Sequence, residues 1–168
     1  FGSTIYPQDT SIARYPPVPN YAGSLMVLIR SAFGVPVTSD SVIIAFHYVT
    51  VLFFAILVVS VYQLSLLMGI GEEVSIFAAL VTFLYPALFG HGLSNLKDTA
   101  QVSLFTAAMY FFIKANVMNS YRSILMGACV WGLALATKFN AVYVPVIWSA
   151  WVVVTRRKKM IVWIVRSL

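Results

Sequence analysis

The sequence predicts an all-α integral membrane protein: a polytopic transmembrane helix bundle with an amphipathic helix lying in the membrane interface. Three observations carry this. Of the 168 residues, 61% are hydrophobic and only 10% charged, with a mean hydropathy of +0.90, where a soluble domain carries about 25% charged residues and roughly half apolar ones. The apolar residues fall in runs long enough to cross a bilayer. The charged residues gather between those runs, so the net charge of +6 reads as topology marking beside the spans and not as a nucleic-acid surface. Cys129 is the only cysteine, which excludes an intrachain disulfide, a CxxC redox site and a cysteine-rich metal site. It lies in an apolar run and reads as a small packing residue.

Residues 1–40 form part of an external loop. Tyr15-Pro16-Pro17-Val18-Pro19-Asn20 is proline-stiffened and extended, since each proline fixes its own φ and biases its predecessor away from helix. Over 21–33, Ala22, Leu25, Met26, Ile29 and Phe33 share one face with Ser24 and Arg30 off it. That predicts a short interfacial helix. The membrane bundle occupies 41–168, with spans over about 41–68, 74–90, 99–117, 123–137 and 140–155 and the start of another at 160. The first run covers about 40 Å as helix, enough to cross with tilt. Ala128, Gly132 and Ala136 recur every fourth residue, a stripe that lets helices approach closely. Trp148, Trp151 and Trp163 suit interfacial anchors. His47, inside a span beside Tyr48, reads as a satisfied core residue.

Topology decides whether 123–154 is one helix or two. A turn at Thr137-Lys138-Phe139-Asn140 puts Lys114, Arg122, Arg156, Arg157, Lys158, Lys159 and Arg166 on one side, seven of the eleven Lys and Arg. That side is cytoplasmic by the positive-inside rule. Lys97, Asp98 and Lys138 then share the non-cytoplasmic face. The chain also reads as a fragment. It opens at Phe1 without an initiator methionine or a signal-peptide pattern, and it closes in an apolar segment too short to span.

Asp98 is the conspicuous group, placed in Gly90-His91-Gly92-Leu93-Ser94-Asn95-Leu96-Lys97-Asp98 between two apolar runs. A charge costs about 3 kcal/mol at the centre of a membrane helix, so one at a helix mouth suggests chemistry. One reading is an N-cap of the Thr99 helix; another is an oriented catalytic or ligand-binding acid. Lys138 is either a cation complementing a helix C-terminus or a phosphate contact. His91 has the chemistry of a proton carrier or sugar contact, although a lone loop histidine is more often neither. No Gly-rich nucleotide loop, GxSxG elbow, HExxH or other metal-ligand spacing appears. A single external Asp with one His is too thin a ligand set to assign a divalent metal, and no cofactor is called.

In order along the chain, these pieces resemble a known family. Tyr15-Pro16-Pro17-Val18-Pro19-Asn20-Tyr21 followed by Phe33-Gly34 resembles the HPPL-x-Y…FG segment in the first external loop of GT-C glycosyltransferases. These are the polyprenyl-phosphate-dependent enzymes that include protein O-mannosyltransferases, aminoarabinose transferases and the RgtA/B/C/D-like group. Asn95-Leu96-Lys97-Asp98 is similar to their second-loop N-P-K-D motif, and the segment from Gly132 to Ala141 to their GLALxTKxxA segment. The family's histidine is Tyr15 here, and its proline before the lysine is Leu96.

The resemblance implies an incomplete GT-C-type bundle. Its activity would be a membrane glycosyltransferase moving a sugar from a polyprenyl-phosphate donor to an acceptor hydroxyl on protein, lipid or glycan. The site would face the non-cytoplasmic side of a multi-pass cell membrane, the plasma membrane in a prokaryote or the ER membrane in a eukaryote. Asp98 would be a supporting acid, with the principal base upstream of Phe1, so the fragment would be inactive alone. Lys97, Lys138, His91, Asn95 and Tyr15 would contact substrate. The alternative is a transporter or structural membrane subunit in which Asp98 only caps a helix.

Overall fold

The computed structural model describes residues 18–167, with side chains as far as Thr155, residue 93 excepted. It is 88% helix, with no strand among the described residues. Seven helices follow in order: α1 (Val18–Ala32), α2 (Ser39–Leu67), α3 (Glu72–Leu84), α4 (Pro86–Ser94), α5 (Leu96–Met118), α6 (Tyr121–Leu135) and α7 (Tyr143–Ser167). A 3-10 turn over Phe139–Val142 joins the last two.

Everything is arranged around α5, which packs against α2, α4, α6 and α7 and touches α1. Its buried positions are mostly small: Thr99, Ala100, Ser103, Ala107, Ala108 and Ala115. Small residues let backbones approach, which is how helices associate where no solvent-driven force pushes them together. Ser103 is fully buried, and its hydroxyl lies 2.6 Å from the Phe53 carbonyl of α2 and 2.6 Å from the Thr99 carbonyl of its own helix. Its one proton is shared between the two oxygens, tying α5 to α2 at mid-helix.

Local sequence sets the helix ends. Thr38 and Ser41 form a capping box that opens α2, with bonds of 2.8 and 3.3 Å. Gly69 takes φ +79° just beyond its C-terminus, a conformation glycine enters without a Cβ penalty. Pro86 has no N–H to give and therefore starts a new helix. The predicted 74–90 span is accordingly two short helices, α3 and α4, bent by 65°. His91 thus stands on a helix, not in a loop.

Phe54, Phe83 and Phe89 close the corner, with ring centroids 5.7 to 6.3 Å apart. Gly92 lets α4 lie against this cluster; a Cβ there would meet the Phe54 ring at 2.6 Å.

Several expectations are corrected. On α6 the stripe facing inward runs through Ser123, Gly127 and Ala134. Gly127 faces the Phe112 ring, 3.0 Å from where a Cβ would sit, whereas Ala128 is exposed and Gly132 has nothing within 4 Å. The helix is therefore turned by about one residue, roughly 100°, from the predicted contact. Cys129 is consequently exposed.

Trp148 and Trp151 also pack, partly buried, against the core, while the Trp163 side chain lies outside the described residues. Trp148 stacks on Phe112 at 5.1 Å and its indole N–H donates to the Phe112 carbonyl at 3.0 Å, locking α7 to α5. His47 is exposed because Ala45, Val49 and Phe53 hold the inward face of α2. α1 begins at Val18, so Val18-Pro19-Asn20 is helical and not extended, a proline being tolerated in the first turn. Of the predicted apolar face, Ala22 and Met26 pack inward and Leu25, Ile29 and Phe33 are exposed. No helix starts at 160, since α7 runs unbroken through residues 156–159, which contain no glycine or proline to stop it.

α2 is long and apolar enough to cross a membrane, and the bent α3–α4 pair also qualifies if it counts as one span. α6 and the 139–155 segment are shorter apolar helices. α5, with Gln101, Lys114 and Asn116 inside the predicted 99–117 span, does not qualify. The outer surface is nonetheless apolar: Leu52, Val59, Phe77, Leu125 and Val146 are all exposed, from four different helices.

Gly92→Ala should lower stability by about 1–3 kcal/mol, the usual cost of forcing extra volume into a packed contact. A thermal midpoint unchanged from wild type in the same detergent would contradict the close approach of α4 to Phe54.

Candidate functional site

One end of the bundle gathers the start of α1, the end of α4, the start of α5 and the end of α6. The Val18 N–H donates to the Ala136 carbonyl at 3.4 Å, bringing the first described turn of α1 to the α6 terminus. The Asn95 N–H and the Thr99 hydroxyl both donate to the His91 carbonyl at 2.8 Å, which fixes α4 to α5.

Asn95 is the N-cap of α5: its amide oxygen accepts the Asp98 N–H at 3.2 Å. Asp98 therefore sits at the third helical position, so the expectation that it caps the helix itself is overturned. The reason is the three-residue spacing, which lets Asn95 reach forward while Asp98 reaches back. The Asn95 amide nitrogen donates to Asp98 Oδ2 at 2.8 Å. That leaves the other carboxylate oxygen to face α6.

The end of α6 delivers the partner. The Thr137 hydroxyl donates to the Leu133 carbonyl at 2.8 Å, and the Lys138 N–H to the Ala134 carbonyl at 3.0 Å. Lys138 then turns to extended backbone, φ −162°. The Trp131 indole N–H holds the far side of the turn through the Ala141 carbonyl at 2.8 Å. Lys138 Nζ consequently lies 2.7 Å from Asp98 Oδ1, forty residues away in sequence. Their side chains are 37% and 48% exposed, and such solvated pairs contribute about 0–1 kcal/mol.

The Lys138 ammonium holds the Asp98 carboxyl below its ordinary value of 3.8, against the raising effect of partial burial. The Asn95 amide and His91 add to the lowering. Beside the pair lies a cleft of about 140 Å³, lined by Phe54, Leu57, Leu88, His91, Asp98, Thr99 and Val102. The geometry is a carboxylate paired with a lysine ammonium, beside an imidazole that shares with it the lining of a small apolar slot.

Asp98, Lys138, Asn95 and His91 are thus brought together. Lys97 is the second residue of α5, partly buried and engaged within the chain. Tyr15 lies outside the described residues. Among the described residues no three His, Cys, Asp or Glu side chains come close enough to hold a metal ion.

Sequence reasoning missed Gln101. It is 9% exposed, one turn into α5 from Lys97, and neither its amide nitrogen nor its oxygen has a hydrogen-bond partner among the described residues. The available signal was a carboxamide inside an apolar helix close to the charged motif. Comparison with protein-family models, with curated proteins and with solved structures returns no match.

Two outcomes are expected. A double-mutant cycle on Asp98→Asn and Lys138→Met should give a coupling of up to about 1 kcal/mol at neutral pH. A carboxyl lowered by folding stabilises above its unfolded value and loses that stabilisation as pH falls through its folded value. The coupling should therefore persist down to pH 3.8 and fade only in stronger acid, read from unfolding midpoints across a pH series. Gln101→Met should raise stability by about 1–3 kcal/mol, the cost of a buried polar group without a partner. A lowered midpoint would mean that the carboxamide is satisfied in the folded protein.

Proposed function

We propose that this chain is part of a polytopic membrane glycosyltransferase that moves a sugar from a polyprenyl-phosphate donor to an acceptor hydroxyl on the non-cytoplasmic face. The observation that carries the reading is the Asp98–Lys138 pair at 2.7 Å, which unites the two motif segments that resemble the GT-C pattern. The exposed apolar side chains on α2, α3, α6 and α7 support a bilayer around the bundle, since an aqueous surface of that composition over several helices is a liability. A membrane also explains why polar groups such as Thr50, Ser60, Thr99 and Ser103 are inside.

In this mechanism the acceptor oxygen attacks the anomeric carbon as the bond from that carbon to the lipid phosphate oxygen breaks. A carboxylate base takes the acceptor proton, and the phosphate leaves with the bonding electrons. Lys138 stabilises the negative charge growing on that phosphate, an electrostatic contribution that is largest where water is scarce. Asp98 holds Lys138 before donor arrives and then orients the sugar or acceptor. His91 and Asn95 flank it as polar contacts. The principal base is assigned to the acidic loop that the family pattern places upstream.

A second reading has its own support: both Asp98 oxygens are satisfied within the chain, by Asn95 and Lys138. In a transporter or structural subunit the pair would simply brace the end of the bundle. The two readings separate in protein that carries the upstream acidic loop. Asp98→Asn and Lys138→Ala should each lower transfer from a polyprenyl-phosphate-linked sugar by on the order of 10²-fold, with helicity and yield unchanged. Turnover within two-fold of wild type for both variants would defeat the transferase reading.

A further inference from the structure

The α2–α5 seam has a second side, away from the Asp98 cleft. Near the site end α1 covers it, with Ala22 and Met26 packed against the cluster that includes Val49, Phe53, Ala100 and Leu104. Ile56 belongs to that covered cluster and also to the next feature along, so it marks where α1's cover ends. Beyond it the seam opens into an apolar groove of about 350 Å³, walled by Ile56, Val59, Ser60, Ala107 and Phe111. Gln63 and Tyr110 line this groove and also line a second, more polar pocket of about 320 Å³ that contains Lys114 and Met118. The two adjoin at these residues and together form a channel along the α2–α5 seam that follows α2 from residue 55 to residue 67, about 18 Å at the helical rise.

Its polar end is built around a cation. The Lys114 ammonium donates to the Tyr110 hydroxyl at 3.0 Å and lies 5.2 Å from that ring's centroid, so it is held beside the channel and not extended into solvent. A phenol hydroxyl neutralises no charge, and among the described residues no carboxylate lines either pocket. Glu72 and Glu73 open α3 at this end of the bundle but are exposed and outside the lining.

We infer that this channel binds a phospholipid with an anionic headgroup: one acyl chain in the Ile56–Phe111 groove and the phosphate on Lys114, with Gln63 and Tyr110 as neutral hydrogen-bond partners. Charge complementarity and the apolar-to-polar gradient along the channel select this occupant. A basic pocket between membrane helices is the usual way a protein captures an acidic headgroup. The site lies at the opposite end of α5 from Asp98 and is distinct from the donor site. It rests on the membrane reading above, not on the transferase assignment.

The test uses the chain in detergent with an equimolar mixture of phosphatidylglycerol and phosphatidylcholine, and native mass spectrometry to count retained lipid. Wild type should retain one phosphatidylglycerol about five-fold in preference to phosphatidylcholine, the effect expected of one lysine. Lys114→Gln should remove the preference and Lys114→Arg should keep it. Arg122→Gln, exposed and outside the lining, should leave it unchanged. Circular dichroism checks that each variant keeps its helix content. Equal retention of both lipids by wild type, or an undiminished preference in Lys114→Gln, overturns the lipid site alone. Failure of wild type to float with phosphatidylcholine vesicles overturns the membrane reading beneath it.

Discussion

The close approach of α5 to α2, set by Ser103, is the constraint from which the remaining architecture follows. In the membrane setting proposed above, burial gives little net drive, and helices join through tight packing and interhelical hydrogen bonds. Ser103 supplies both, since its small side chain lets the backbones close and its hydroxyl reaches the Phe53 carbonyl at 2.6 Å. Ala100 and Ala107, one turn to either side, extend the contact. A larger residue at any of the three would push α2 away. It would also shift the Asn95–Asp98 turn, which lies one and a half turns from Ser103 on the same rigid helix.

That rigidity is what turns a sequence motif into a site. Asp98 is fixed by the cap at Asn95, and Lys138 by the bonds that end α6 and by the Trp131 tether. Neither side chain needs to be buried to be well placed, because both backbones are. The arrangement differs from a buried ion pair, where desolvation works against the Coulombic attraction and specificity is the only clear gain. Here water remains in contact with both charges, and the cleft lined by His91 opens beside them.

Much of this was legible in the residues, and the parts that were not fail for identifiable reasons. Most helix positions follow from the apolar runs, but the break at Pro86 within the predicted 74–90 span does not, because a proline near the end of an apolar run is equally compatible with a kink and with a new helix. Asp98 and Lys138 could be grouped by counting basic residues on each side of the spans. Rotation about a helix axis is another matter. Ala128-xxx-Gly132-xxx-Ala136 looked like the packing stripe of α6, but Gly127 is the glycine that meets Phe112. Both stripes are small enough to fit, and what chooses between them is the shape of α5, which no local pattern on α6 contains. The same holds for Trp148, whose composition suits an interface and whose position gives it the Phe112 carbonyl. Gln101 was overlooked because an isolated amide in an apolar run gives no period to read.

The modest strength of the Asp98–Lys138 pair is what the proposed binding role requires of it. A brace is useful in proportion to what it costs to break, and at 37% and 48% exposure this pair costs about 1 kcal/mol at most. The cap at Asn95 and the α6 terminus would hold their geometry without it. A site needs the opposite property: a cation held in place when empty, yet released cheaply when a stronger anion arrives. A phosphate offers Lys138 more acceptor oxygens than the one carboxylate oxygen it now contacts, and its bond to the ammonium is charge-assisted like the one it would replace. Asp98 would keep its Asn95 bond and stay ionised through the exchange, free to accept from a sugar or acceptor hydroxyl. On the proposed reading, the weak pair is the resting state of a switchable contact, positioned by backbone bonds that do not change when it opens.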